Sequence, residues 1–62
     1  TLVYAESGFY AKGLSIADEE ASAGRKAEFS VYETMEETLS YARQKGIRRL
    51  LIAGEEVREV IL

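Results

Sequence analysis

The stretch from residue 23 to residue 54 constrains the fold most, because it has the pattern of a strand, a helix and a second strand. Residues 27–32 alternate apolar and polar side chains at the period of a β-strand. Residues 34–37 (Thr-Met-Glu-Glu) form a capping box that starts a helix, and Gly46 is placed to end it. Residues 49–53 (Arg-Leu-Leu-Ile-Ala) then predict a short buried strand. This order predicts a βαβ unit with two glutamates at the start of its helix.

A strand and a helix are predicted before this unit, and one more strand after it. Residues 1–5 form an apolar, β-rich run that predicts the first strand, and residues 9–23 predict a helix that Gly24 ends. After a turn at residues 54–56, residues 57–62 predict a fourth strand paired antiparallel to the third. Because crossovers between parallel strands are right-handed, the expected fold is an α/β domain of βαβαββ order in two or three layers. Its sheet is expected to be mostly parallel, in the order 2-1-3-4 with strand 4 antiparallel.

The spacing of apolar side chains predicts which face of each helix packs on the sheet. In the first helix, four residues recur at spacings of three and four and are expected to face the core: Tyr10, Leu14, Ala17 and Ala21. On the same helix Glu20 is expected to face water, and Gly13 is expected to make the first turn irregular. In the second helix the expected core stripe consists of Met35, Leu39 and Ala42. Thr38 and Tyr41 are expected at the borders of this stripe.

Composition excludes several classes of function. The chain has 62 residues, enough for one domain, and contains neither histidine nor cysteine, which removes the commonest general base and the commonest zinc ligands. We therefore expect no enzyme activity, no cofactor and no metal. A net charge of −3 argues against sequence-independent binding of nucleic acid. No apolar run is long enough for a membrane span, so a cytoplasmic location is expected. Thr1 is not an initiator residue, which favours a piece of a longer polypeptide.

Two groups of residues are candidates for binding. Arg43, Lys45, Arg48 and Arg49 are close in sequence and form the only basic cluster, which is either a partner surface or a solubilising strand entrance. Ligands of open α/β sheets gather at the carboxyl ends of strands, which here means residues 6–8 and 33–34. Glu6 and Glu33 follow adjacent strands there, and two interpretations are open: carboxylates that approach each other and do acid–base work, or separate solvated strand-end residues. The chain has no glycine-rich phosphate loop, so ordinary turn chemistry is the other interpretation.

Three runs carry a resemblance to a known family: residues 24–29, 34–47 and 50–55. In order and spacing they resemble the C-terminal anticodon-binding domain of class II aminoacyl-tRNA synthetases, the histidyl enzyme in particular. That family typically has serine-leucine-lysine-lysine-glutamine where residues 34–38 read Thr-Met-Glu-Glu-Thr. The basic start of the helix is therefore acidic here.

This acidic, shortened form looks like the C-terminal domain of the ATP phosphoribosyltransferase regulatory subunit, the catalytically inactive histidyl-synthetase paralogue of histidine biosynthesis. The stretch at residues 41–49 fits that family. The resemblance implies a noncatalytic, regulatory role, with the parent synthetase-like core and the short catalytic phosphoribosyltransferase subunit as protein partners. A tRNA anticodon-binding domain of a synthetase is the alternative. Whether two copies associate through the uncovered sheet is left open.

Overall fold

A computed structural model describes residues 1–62 as one α/β domain. Its elements are β1 Leu2–Ala5, α1 Tyr10–Ser22, β2 Glu28–Phe29, α2 Met35–Lys45, β3 Arg49–Ala53 and β4 Arg58–Ile61. The four strands form one sheet in the order β2-β1-β3-β4. Strand β1 is parallel to both of its neighbours, and β4 is antiparallel to β3. The predicted fold class, strand order and strand directions are confirmed.

The two helices lie on opposite faces of the sheet, which gives three layers. On one face, Leu2, Leu50 and Ile52 form a buried core with Ala42 of α2. On the other face, Gly13 of α1 lies against Ala5 and the ring of Phe29. This arrangement follows from the strand order, because right-handed crossovers that run in opposite directions from the central strands place their helices on opposite sides.

The boundaries of α2 are set by the local signals that the sequence contains. The Thr34 hydroxyl accepts a hydrogen bond from the Glu37 N–H at 3.2 Å, and Gly46 ends the helix with a φ of 72°. Thr38 was expected at the border of the core stripe, but it is fully buried. Its hydroxyl donates to the Thr34 carbonyl at 2.9 Å and lies 2.9 Å from the Ser30 hydroxyl, so this buried polar group is satisfied.

The predicted inward face of α1 is wrong for three of its four residues; the fourth, Ala17, is half-buried. Tyr10 and Leu14 are 63% and 42% exposed, and Ala21 is exposed as well. The buried residues of α1 are Gly13 and Glu20, and the first turn is regular helix. A side chain at position 13 would collide with the sheet, so the glycine lets the helix approach closely and rotates its apolar stripe toward solvent.

Gly13→Ala is expected to destabilise the protein. The new Cβ would lie 2.8 Å from Phe29 Cε2 and 3.0 Å from Ala5 Cβ. Overpacking of this kind typically costs about 1–3 kcal/mol, against a gain of about 1 kcal/mol in helix propensity. Urea denaturation measures the midpoint, with Ser15→Ala on the exposed side of α1 as the matched control. A higher midpoint for Gly13→Ala than for the unmodified chain would contradict the close approach.

Strand β2 is shorter than the predicted span of residues 27–32. The Ser30 N–H still donates to the Val3 carbonyl at 2.7 Å, but the Tyr32 N–H turns back to the Ser30 hydroxyl at 3.2 Å. The polar contacts of Ser30 therefore end the ladder where the alternating pattern would have continued it. Neither helix has the length and apolar character needed to cross a membrane.

Candidate functional site

The structure divides the predicted basic cluster between two sides of the sheet. Arg43 and Lys45 are exposed in the last turn of α2, and Arg48 is exposed just before β3. Arg49 lies on β3, and its guanidinium binds the carboxylates of Glu20 and Glu59 on the α1 side. Arg43, Lys45 and Arg48 are thus available to a partner, whereas Arg49 is engaged within the chain.

Glu20 is the centre of an ionic cluster that joins α1, its C-terminal loop and two strands. Its carboxylate receives two hydrogen bonds from Arg25, from Nε at 3.1 Å and from Nη2 at 2.7 Å, and a third from Arg49. Arg49 continues the cluster to Glu59 on β4. Glu20 is only 6% exposed, so the expectation that it faces water is wrong. Glu20 and Arg49 are 29 positions apart in the sequence, so the pairing that allows this glutamate to be buried has no local sequence signal.

The surroundings of Glu20 keep its carboxylate ionised. Hydrogen bonding from Arg25 lowers the pKa of Glu20 below 4.5; burial opposes this effect, and Arg49 adds to it. Both carboxylate oxygens are occupied by guanidinium groups. The cluster is therefore suited to holding elements together rather than to transferring protons.

The carboxyl ends of β1 and β3 are closed by the side chains of the chain itself. Glu6 accepts a hydrogen bond from Arg58 at 3.0 Å, and its carboxylate lies where a side chain at Gly54 would be. Lys12 donates to the backbone carbonyls of Gly54 at 2.7 Å and Glu55 at 3.1 Å. No group of three or more acidic side chains is arranged to hold a metal ion.

Glu33 does not form part of this charged group. Its backbone carbonyl accepts a hydrogen bond from the Tyr4 hydroxyl at 3.0 Å, and the residue is exposed. The structure pairs Glu6 with Arg58 instead of bringing it to Glu33. Tyr4 consequently ties β1 to the loop that leads into α2.

A group of aromatic and apolar residues surrounds β2, the edge strand that lies farthest from β4. We call this surface the β2 edge; it consists of Glu28–Tyr32 with Tyr10 and Tyr41. The rings of Tyr10 and Phe29 meet edge to face at 5.1 Å, and those of Tyr32 and Tyr41 lie 5.5 Å apart. The Tyr41 hydroxyl donates to Glu28 at 2.6 Å, which raises the pKa of Tyr41. Val31 is 87% exposed. Sequence analysis assigned residues 27–32 to an ordinary strand; the Tyr32 ring, on the face that the alternating pattern gives to polar residues, is the sequence signal of this surface.

Comparison with known proteins gives no family assignment. No protein-family model matches the chain, and no curated protein matches it significantly. The function is therefore proposed from the resemblance of residues 24–55 described above together with the exposed surfaces of the domain.

Proposed function

We propose that this chain is a noncatalytic accessory domain of the regulatory subunit of ATP phosphoribosyltransferase, in the first step of histidine biosynthesis, and that it acts through protein–protein packing and assembly. The resemblance at residues 41–49 supports the choice of family, and the exposure of large apolar side chains at both edges of the sheet carries the packing role. Val31 is 87% exposed beside β2, and Ile61 is 69% exposed on β4. Exposed apolar surface of this kind is typical of protein contacts.

The alternative is a tRNA anticodon-binding domain of a histidyl-type synthetase. The exposed Arg43, Lys45 and Arg48 favour it, because cationic side chains bind phosphates. Exposed Glu36 and Glu37 in the first turn of α2 weigh against it, because carboxylates repel phosphates. These two glutamates occupy the place where the synthetases that the chain resembles usually carry lysine.

A binding titration of the parent protein separates the two functions. The parent protein, with and without this domain, is titrated with the short catalytic subunit and with bulk tRNA at two salt concentrations. Complex formation with the subunit that is lost on deletion of the domain supports the packing role. Tight tRNA binding that weakens steeply with salt would replace the proposal with the synthetase function.

Replacing both Glu36 and Glu37 by lysine is expected to leave the fold intact. The helix begins at Met35, so the reversed charges act unfavourably on the helix dipole at a cost of about 0.3–1 kcal/mol each. Thermal unfolding followed by circular dichroism measures the change. Glu55 and Glu56 lie outside the helices, so their replacement by lysine is the matched control for net charge. Complete unfolding of the Glu36/Glu37 variant alone would show that these glutamates are essential to the fold.

A further inference from the structure

Strand β2 has backbone N–H and carbonyl groups that form no hydrogen bond with another strand. The N–H groups of Glu28 and Ser30 donate to the carbonyls of Thr1 and Val3 at 2.9 and 2.7 Å, so they point toward β1. Because successive peptide groups of a strand point in opposite directions, the N–H and carbonyl of Phe29 point away from β1. Strand β2 is the last strand on that side of the sheet. The N–H and carbonyl of Phe29 could therefore form hydrogen bonds with an added strand.

A hollow lies on each side of this strand. The hollow on the α1 side has a volume of about 320 Å³, and Tyr10, Phe29 and Val31 contribute to its wall. The hollow on the α2 side has a volume of about 120 Å³, and Glu28 and Tyr41 contribute to its wall. Alternate side chains of an added strand would point to opposite faces of the sheet, and therefore into these two hollows in turn.

The two hollows differ in chemistry. Five of the nine residues that line the α1-side hollow are hydrophobic, and the Glu6 carboxylate that also lines it is already paired with Arg58, so this hollow suits an apolar residue. The α2-side hollow contains the Glu28 carboxylate beside the rings of Tyr32 and Tyr41. A carboxylate next to aromatic rings suits a cationic side chain. The nearby exposed Glu33 carries charge of the same sign.

We propose that the β2 edge binds an extended segment of a partner protein, in which apolar residues alternate with lysine or arginine. The segment adds to the sheet as a fifth strand, with hydrogen bonds to the backbone of Phe29. Its apolar side chains enter the hollow on the α1 side, and its cationic side chains meet Glu28 on the α2 side.

The other edge of the sheet is less suited to this role. On β4, Arg58 binds Glu6 and Glu59 binds Arg49, so charged side chains lie along the strand and are already paired. Charged residues on an edge strand discourage the addition of another strand. The β2 edge has apolar side chains and an unpaired backbone in the same place, which makes it the better docking surface.

The test uses the 62-residue chain and a capped hexapeptide of alternating valine and lysine. Fluorescence anisotropy of the labelled peptide gives the dissociation constant, and nitrogen-15 NMR follows the Phe29 amide. We expect saturable binding that shifts the Phe29 amide. A valine–glutamate hexapeptide and a peptide with N-methylated alternate amides are both expected to bind at least about tenfold more weakly. No binding of the valine–lysine peptide, or equal binding of the N-methylated one, would overturn strand addition at this edge.

Two matched variants locate the site. Val31→Lys places a positive charge on the β2 edge and is expected to weaken peptide binding by at least about tenfold. Val57→Lys makes the same change at an exposed valine before β4 and is expected to leave the affinity within about twofold. Both side chains are exposed, so both variants should fold, which circular dichroism checks. Equal affinities of the two variants would overturn the location.

The inference rests on the proposed function only in that the domain works through protein contacts. The two fail separately. If the parent protein binds the catalytic subunit but the peptide does not bind the β2 edge, the docking inference fails and the proposed function stands. If the peptide binds this edge but the parent protein does not bind the subunit, the docking surface stands and the partner belongs to another assembly.

Discussion

Leu50→Ala is expected to unfold much of the protein at 25 °C. Leu50 lies at the centre of the sheet, is 0% exposed, and packs with Leu2, Ile52 and Ala42. Truncating a buried leucine to alanine costs about 2–5 kcal/mol, because the cavity that remains is only partly closed. A chain of this length has a total stability of about 3–9 kcal/mol, so the loss removes a large part of it. The urea midpoint and the folded baseline of the circular dichroism signal measure the effect.

Leu14→Ala is the matched control for this substitution. Leu14 is 42% exposed on α1, so the same truncation there removes little buried surface and should shift the midpoint far less. A similar shift for both variants would contradict the position of the core between β3 and α2. It would instead place Leu14 on a buried face, as the apolar spacing alone suggested.

The elements that sequence predicts well are those with local signals. Thr34 and Gly46 define the ends of α2 through contacts within a few residues, and both positions agree with the structure. The run at residues 49–53 predicts β3 with its observed bounds, because a strand buried on both faces needs continuous apolar residues. Given the strand order, the handedness of the crossovers then places the two helices on opposite faces of the sheet, and no single residue decides this.

The errors arise where a distant contact overrides a local pattern. Gly13 weakens an isolated helix, so the sequence indicates an irregular turn, but its close contact with Phe29 and Ala5 makes it one of the two buried residues of α1. Strand β2 ends early because Ser30 meets Thr38 across the loop. The β2 edge was missed for a similar reason: its two hollows form only when Tyr10 and Tyr41, from different helices, flank the same strand.

Glu20→Gln is expected to lower the stability of the protein at neutral pH. Glutamine is uncharged, so the variant loses the ion pairs that Glu20 forms with Arg25 and Arg49. Arg25 is then left without an ionic partner. The loss is expected to be moderate, because the Arg25 side chain is 54% exposed and is solvated by water, and because Arg49 keeps its ion pair with Glu59. The urea midpoint at pH 7 should therefore fall. Glu19→Gln is the matched control, since Glu19 is the neighbouring exposed residue of α1 and loses the same charge.

The pH dependence distinguishes this ionic role from simple packing. The pKa of Glu20 is lowered in the folded protein from 4.5, so the folded state binds the proton less readily than the unfolded state does. The stabilisation from Glu20 is consequently complete above pH 4.5 and is lost as the pH falls through the lowered pKa. The difference in stability between the unmodified chain and Glu20→Gln should therefore be largest at neutral pH and shrink in acid, whereas the difference for Glu19→Gln stays small throughout. A constant difference for Glu20→Gln from pH 7 to pH 2 would mean that Glu20 stabilises the fold by its shape and not by its charge.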